Sequence, residues 1–370
     1  MPIEFLGTGA TNDGSETRPR SGAAFDKEFT RRLAAAHEEA GFDRVLIAYD
    51  SSSPDPAQVA AYIAAHTERL QLLVAHRPNV SHPTYAAKTF ATLDQISDGR
   101  ISVHFITGGL EKEQHREGDY LPKDERYART REYMRIVKKA WTQREPFDHE
   151  GQYYRFTGYV SDVMPARISR PAVSFGGSSR AAYAAGGAEA DIYALWAESL
   201  EGTAQQIASV RAAASAAGRS DTPRIHVGFR PIIAATEELA WEKAHSVVER
   251  IVARKMPLGA AENRGAQRLL ELAAKGERHD RALWTGTATA TGAGGDTTAL
   301  VGTPETVAQA ILDYVDLGVD VIAARGYDWI DDTRDFGRYV IPIVREEVAK
   351  RDAARSSSEA STAGRADARS

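Results

Sequence analysis

The feature that most constrains the fold is a regular alternation of short apolar runs with amphipathic stretches along nearly the whole chain. Eight runs have the length and composition of buried strands, and a stretch with apolar residues at helical spacing follows each of them. Runs such as RVLIA at 44–48 and LQLLVA at 70–75 are apolar except for one residue each, as is typical of parallel strands covered on both faces. Eight such units predict an α/β fold, a (β/α)8 barrel of the TIM type.

The alternation is interrupted twice, which predicts insertions at about 144–171 and 256–298. The first interruption contains EGQYYRFTGYV, an aromatic–polar alternation typical of a surface hairpin, and the second contains the low-complexity stretch TGTATATGAGGDTT. We predict one domain over residues 1–350 and a disordered tail over 351–370, which lacks an apolar face. A doubly wound sheet is the alternative, but GTGATNDG after the first strand does not continue into a helix as a nucleotide loop would.

Composition excludes several functional classes. The chain of 370 residues contains no cysteine, which excludes disulfides, thiolate metal sites and cysteine nucleophiles. Its formal net charge of -5 gives no reason to expect nucleic acid or an anionic membrane as a partner. The N-terminus does not resemble a signal peptide and no apolar run reaches membrane-spanning length, so we predict a cytoplasmic protein. The ten histidines lack metal-ligand spacing, and we predict no metal site.

Functional residues of such barrels lie at the carboxyl ends of the strands. Read in chain order, these ends supply the candidates Ser53, His76, Thr107, Gly108, Gly177, Ser178, Ser179, Trp196, Arg230, Tyr327, Asp328 and Trp329.

The sequence FGGSS at 175–179 gives the sharpest local signal. Glycines allow close backbone approach, and serine hydroxyls with free helix amides favour an anion such as a phosphate. The alternative is a tight turn in which serine only caps a helix. Arg230 lies in the apolar run VGFRPII, where a charge requires a partner, either a ligand or an acidic neighbour. Trp196 could pack against a flat cofactor or belong to the core.

Several stretches resemble bacterial luciferase-like flavin monooxygenases, most closely the alkanesulfonate and methanesulfonate monooxygenases. The matching stretches span roughly residues 1–348, and the most specific are PTYAAKTFATLDQISDGR and FGGSS. The resemblance implies a barrel that uses reduced FMN and dioxygen, with the flavin supplied by a separate NAD(P)H-dependent reductase. In the sulfonate branch, such enzymes break a C–S bond and release sulfite and an aldehyde. Homodimers or homotetramers are common in the family.

The resemblance also implies roles for individual residues. Ser178 and Ser179, with Gly177, would hold the FMN phosphate, and Thr107, Gly108 and Tyr154 would complete the flavin site. The remaining candidates divide into two sets. The catalytic set is Trp196, Arg230 and Tyr327. The substrate-binding set is Ser53, His76, Asp328 and Trp329.

Departures from the family pattern leave the substrate open. Ser53 stands where the family has a cysteine, Ile232 where it has a histidine, and Ala293 where it has the arginine of a mobile loop. An alkanesulfonate and a sugar sulfonate such as sulfoquinovose are equally compatible with these changes, and a sulfone such as dimethylsulfone is a third option. A deazaflavin-dependent oxidoreductase on the same barrel is the alternative reaction class. A flavin-storage protein is a non-enzymatic alternative, although the barrel is not shortened.

Overall fold

The first half of the barrel follows the predicted alternation. The structure, a computed structural model, describes residues 3–167, 170–255, 261–295 and 297–367, with side chains up to residue 355. Its first elements are β1 (Glu4–Thr8), α1 (Lys27–Glu39), β2 (Arg44–Ile47), α2 (Pro56–Ala64), β3 (Gln71–His76), a 3-10 turn (Pro78–Val80), α3 (Pro83–Ile96), β4 (Ile101–Phe105), α4 (Glu111–His115) and α5 (Lys123–Thr142).

The first predicted insertion is a hairpin outside the barrel. Strands β5 (Phe147–Glu150) and β6 (Arg155–Tyr159) pair antiparallel and form a two-stranded sheet of their own. Glu132 of α5 anchors the hairpin, because its carboxylate accepts hydrogen bonds from the backbone amides of Tyr153 and Tyr154. The hairpin therefore belongs to the outer surface, as the aromatic–polar alternation predicted.

The second half resumes the alternation and contains the second insertion. Its elements are β7 (Ala172–Gly176), α6 (Arg180–Glu189), β8 (Ile192–Trp196), α7 (Leu200–Ala216), β9 (Arg224–Ile233), α8 (Glu237–Ala253), α9 (Arg264–Lys275), β10 (Arg278–His279), β11 (Leu283–Trp284), α10 (Gly286–Thr291), β12 (Ala299–Gly302), α11 (Pro304–Asp316), β13 (Val321–Ala324), α12 (Trp329–Tyr339) and α13 (Ile341–Asp367). Residues 256–260 and 296 of the predicted insertion lie outside the described residues.

Eight parallel strands close the barrel in the order β1, β2, β3, β4, β7, β8, β9 and β13, and β13 pairs back onto β1. This confirms the predicted fold class. The long strand β9 pairs with β8 as far as Gly228 and with β13 as far as Phe229, and from Arg230 onward it pairs with β12 of the insertion. Arg230 thus stands at the point where β9 leaves the barrel, which places its side chain at the mouth.

An apolar cluster lies in the barrel interior, and a larger apolar core lies between the strands and the helices. The interior cluster consists of Leu6, Leu73, Val321 and Ala323, with Leu46 packed against it. At the opposite end from the mouth, Glu4 forms ion pairs of 2.7 Å with both Arg44 and Arg224 and so joins three strands. Within the described part of the chain, no helix is long and apolar enough to cross a membrane.

The C-terminal helix differs from the prediction in two respects. The apolar periodicity after the eighth strand predicts one helix over Asp332–Lys350. Pro342, in the first turn of α13, cannot continue the preceding helix, so this segment is divided at Val340 into α12 and α13. The backbone of α13 runs to Asp367, past residue 351 where we predicted disorder. Residues 351–367 contain five alanines and three arginines, which favour helix without an apolar face. The division into a domain and a tail stays a prediction, and residues 368–370 lie outside the described residues.

Candidate active site

Two arginines and one glutamate form a charged cluster at the mouth of the barrel. Arg230 is 3% exposed and forms a 2.7 Å ion pair with one carboxylate oxygen of Glu16. Arg325, directly after β13, forms a 2.7 Å ion pair with the other oxygen of the same carboxylate. The acidic partner that a buried Arg230 requires is therefore Glu16, which lies in the connection between β1 and α1.

The charges in this cluster shift one another's pKa values. Burial alone would raise the pKa of Glu16, but the guanidinium groups of Arg230 and Arg325 outweigh it and lower the pKa to about 2. Burial, assisted by the positive charge of Arg230, lowers the pKa of Arg325 to about 10. All three groups are therefore charged at neutral pH, and together they carry one net positive charge.

Tyr327 lies directly beside this cluster. Its side chain is 2% exposed, and the guanidinium carbon of Arg230 is 5.2 Å from the ring centroid. Within the described residues, its hydroxyl has no hydrogen-bond partner at ordinary distance and angle. The hydroxyl of the nearby Thr287 donates its own proton to the carbonyl oxygen of Thr297 at 2.6 Å. Burial raises the pKa of Tyr327 against the opposing effects of Arg230 and Thr287. A protonated phenol therefore stands next to a cation, the arrangement that a proton donor needs.

A cavity of about 320 Å³ opens above Arg325. Ser53 and Trp329, both predicted to bind substrate, line this cavity together with Arg325 and Thr8. The guanidinium of Arg325 also lies 4.3 Å from a ring centroid of Trp329. The structure therefore brings two of the four predicted substrate residues to the cationic end of one cavity.

His76 and Asp328 do not reach this cavity. The ring of His76 is buried against Tyr133, to whose hydroxyl it is hydrogen-bonded at 2.8 Å, and against Phe90 on the helix side of the sheet. Side chains alternate along a strand, and His76 shares its face with Leu72 and Val74 of the outer core. Asp328 lines a separate surface depression with Arg18 and Arg334. Neither predicted role gains support from the structure.

The Gly–Ser turn between β7 and α6 has the form of an anion site. Gly177 adopts φ +142°, and a Cβ atom there would lie 2.7 Å from the Cβ atom of Ala182. Ser179 caps α6 by accepting the amide hydrogen of Ala182 at 3.2 Å, so the capping alternative is confirmed. Capping uses the amide of Ala182, and it leaves those of Arg180 and Ala181, for which the described residues provide no acceptor, available to an anion. Ser178 is half-buried beside them, and the Tyr127 hydroxyl lies close to Gly177.

Thr107 and Gly108 follow β4 at the same end of the barrel. Thr107 is buried and donates a 3.3 Å hydrogen bond to the Thr130 hydroxyl. Gly108 adopts φ +89° and lies against the side chain of Gln114, which would be 1.9 Å from a Cβ atom at this position. Gln114 is fully buried, and neither its amide nitrogen nor its amide oxygen has a hydrogen-bond partner within the described residues. The buried amide of Gln114 therefore has hydrogen-bonding capacity that no described residue uses.

Tyr154 lies apart from the Gly–Ser turn. Its ring packs against Tyr133 and His82, and it lines a depression with Arg129 and Ser81. Among the contacts of the described residues, none joins Tyr154 to residues 177–179. Its predicted role in flavin binding remains a prediction.

Trp196 forms the contact between the barrel and the second insertion. It packs with Ala266 and Leu269 of α9 and with Ala288 and Ala293 farther along the insertion. A bidentate ion pair, with both distances 2.6 Å, joins Arg268 of α9 to Glu198 directly after β8. The insertion therefore covers Trp196 and encloses this side of the mouth.

Sequence reasoning missed Glu16, Arg325 and Gln114. Arg325 was detectable in principle, because it directly follows the eighth strand. Glu16 and Gln114 gave no signal, since one lies in a polar connection and the other in a helix of five residues. Among the residues that the structure describes, no group of three or more histidine, aspartate or glutamate side chains is placed to hold a metal ion.

Comparison with known proteins assigns the chain to a family. The sequence profile of luciferase-like monooxygenases matches residues 6–321. A riboflavin lyase structure with modified FMN and riboflavin is 24% identical and has a TM-score of 0.78, over 94% of this chain and 92% of that chain. EDTA monooxygenase from Chelativorans sp. BNC1 is 19% identical with a TM-score of 0.77, over 94% of both chains. An F420-dependent secondary alcohol dehydrogenase is 16% identical with a TM-score of 0.68, over 93% and 99%. At these identities the structural likenesses establish the fold.

Proposed function

Because the chain belongs to the luciferase-like monooxygenase family, we propose that it is a two-component, reduced-FMN-dependent monooxygenase that desulfonates an organosulfonate. The observation that carries the proposal is the cluster of Arg230, Arg325 and Glu16, whose net positive charge lies at the barrel mouth beside Tyr327. A sulfonate is a monoanion with three acceptor oxygens, and charge-assisted hydrogen bonds from arginine are each worth about 1.5–3 kcal/mol.

The residues at the other strand ends fit FMN. The phosphate would be held by Ser178, Ser179 and the free amides at the start of α6, with Gly177 allowing close approach. The ring system would lie near Thr107 and Gly108, where the unpartnered amide of Gln114 offers one donor and one acceptor. When bound, reduced FMN supplies the two electrons that activate dioxygen.

The residues of the chain itself would then orient and protect the reacting groups. The positive charge of Arg325, with that of the buried Arg230 behind it, attracts the sulfonate. Trp196 and the second insertion keep water out, and Tyr327 donates a proton to the departing or reduced oxygen. One atom of dioxygen enters the carbonyl product and the other becomes water, while the C–S bond breaks and sulfite leaves. The product is an aldehyde or another carbonyl compound.

Partners and assembly follow from the same proposal. A separate NAD(P)H-dependent flavin reductase supplies the reduced FMN, and the chain assembles as a homodimer or homotetramer in the cytoplasm. The substrate is an alkanesulfonate or a sugar sulfonate. A neutral sulfone such as dimethylsulfone is the less favoured substrate, because it would leave the positive charge at the mouth unused.

A deazaflavin-dependent oxidoreductase is the second candidate function. The fold likeness to the F420-dependent alcohol dehydrogenase supports it, because the same barrel can present a deazaflavin for hydride transfer. The two functions differ in their need for dioxygen, since hydride transfer consumes none.

Sulfite release under air tests the proposal. The assay supplies reduced FMN from a flavin reductase and compares alkanesulfonates of several lengths, sulfoquinovose and dimethylsulfone. We expect sulfite from one class of sulfonate, with matching oxygen uptake, and a loss of turnover of more than about tenfold in Arg230→Ala. Oxygen uptake that yields only hydrogen peroxide would refute the substrate class. Uptake no greater than that of free reduced flavin would favour the deazaflavin reaction.

A further inference from the structure

The cluster at the barrel mouth is asymmetric in a way that assigns a separate task to each arginine. Arg230 is 3% exposed and is held under the mouth by Glu16 and the ring of Tyr327. Arg325 is 23% exposed and lines the cavity of about 320 Å³. Its Nε atom is buried and makes no hydrogen bond within the described part of the chain. Arg325 therefore reaches the cavity through the exposed part of its side chain, whereas Arg230 does not.

Glu16 is a fixed component of the cluster, because its neighbours on both sides are held in place. The indole nitrogen of Trp329 donates a 3.0 Å hydrogen bond to the carbonyl oxygen of Gly14, and Arg254 donates one to the carbonyl oxygen of Ser15. A backbone pair between Ser15 and Arg18 closes the turn around Glu16. The carboxylate thus stays between the two guanidinium groups, one oxygen on each.

We infer that Arg325 anchors the substrate anion and that Glu16, its internal counter-ion, restricts the site to ligands with a single negative charge. This inference rests on the proposed function, because it names the residue that binds the substrate and the net charge that the substrate carries. Two guanidinium groups and one carboxylate leave one positive charge to neutralise. The other charged residues that line the cavity, Arg20 and Asp50, cancel each other.

A dianion would leave one negative charge uncompensated in this partly buried site, and a neutral ligand would leave the positive charge unpaired. The cavity volume is close to the lower limit of about 300 Å³ for small-molecule sites, so the preferred ligand is a small organic monoanion. Sulfonate and carboxylate groups share this chemistry, and the experiment separates them.

Calorimetric titration under nitrogen, with reduced FMN present and absent, tests the inference. The probes are ethanesulfonate, propanoate, ethane-1,2-disulfonate and dimethylsulfone. We expect the wild type to bind a monoanion at least about tenfold more tightly than the disulfonate. Arg325→Gln should weaken monoanion binding about 10- to 100-fold, and Arg325→Lys should retain part of it. Glu16→Gln should shift the preference toward the disulfonate by at least about tenfold.

The matched control is Arg281→Gln. It removes an ion pair with Asp313, neither residue of which lines the cavity, and it should leave every affinity unchanged. Monoanion affinity within twofold of wild type in Arg325→Gln would overturn the inference, as would unchanged charge preference in Glu16→Gln or the absence of monoanion binding in both flavin conditions. Arg325-dependent binding of propanoate alone would uphold the inference and refute the sulfonate assignment. Thermal unfolding of each variant confirms that it is folded.

Discussion

At the scale of single residues, we expect the Tyr327 hydroxyl to contribute to catalysis but not to the stability of the fold. It is buried and lacks a hydrogen bond of ordinary geometry within the described residues, so removing it breaks no interaction that holds the fold. We expect Tyr327→Phe to lower turnover by well over tenfold, while the thermal unfolding midpoint stays the same or rises. Steady-state sulfite release and calorimetric unfolding measure the two effects.

Tyr314 provides the matched control for this substitution. It is also a buried tyrosine, but its hydroxyl donates a 2.5 Å hydrogen bond to the carbonyl oxygen of Glu198. Tyr314→Phe should therefore destabilise the fold by about 1–3 kcal/mol and reduce turnover far less than Tyr327→Phe does. Near-normal turnover in Tyr327→Phe would remove this residue from the proposed mechanism.

The residues of the site were predictable to the extent that the strand pattern determines them. Arg230 and Tyr327 were identified because strand ends converge at the mouth of a barrel. His76 also ends a strand, but a shift of one residue along a strand turns a side chain to the opposite face. Glu16 was not predictable, because its pairing with Arg230 joins positions 214 residues apart and depends on the path of a connection without periodicity.

At the scale of secondary-structure elements, helix α9 is held over Trp196 by one bidentate ion pair. Arg268 is one partner and Glu198, directly after β8, is the other. We expect Arg268→Gln to loosen the second insertion and to increase the rate of proteolytic cleavage between residues 276 and 297, because a partly buried bidentate pair is lost. Limited proteolysis followed by mass spectrometry locates the cuts.

Arg264 offers a control on the same helix. It forms an ion pair with Glu271 within α9 and does not connect α9 to the barrel, so Arg264→Gln should leave the cleavage rate close to that of the wild type. We further predict that reduced FMN and substrate together protect residues 285–297. Equal cleavage rates in wild type and Arg268→Gln would show that the apolar contacts of Trp196 suffice to hold the insertion.

The elements themselves were more predictable than the insertion. The barrel strands and their helices follow from apolar periodicity, which a chain must display to cover a parallel sheet on both faces. The short strand β12 and helix α10 lie in or next to a Thr–Ala–Gly stretch without periodicity, and contact with β9 and α8 determines their conformation. Pro342 was visible in the sequence as a signal to divide the last helix.

At the scale of the whole molecule, four histidines distributed around the barrel make its stability depend on pH; His37 and His226 are buried, and His76 and His104 are half-buried. Burial lowers the pKa of His37 and His104 to about 4 and that of His76 and His226 to about 3. Their pKa in the unfolded chain is about 6.5, so the unfolded state binds more protons than the folded state between these values. The stability that these neutral rings contribute is complete above pH 6.5 and is lost as the pH falls.

Each of the four histidines should therefore lower the free energy of unfolding by up to about 1.4 kcal/mol for each pH unit that the pH falls below the pKa of the histidine in the unfolded chain. Urea unfolding between pH 6.5 and pH 5 measures the slope of the unfolding free energy against pH. This pH interval lies above the one in which most carboxylates titrate. His104→Gln keeps a partner for the Ser174 hydroxyl, which lies 2.9 Å from the His104 ring, and should reduce the slope by one proton. His66→Gln, which removes an exposed ring, is the control. A slope below that of a single proton in the wild type would mean that acid reaches these rings without unfolding the barrel.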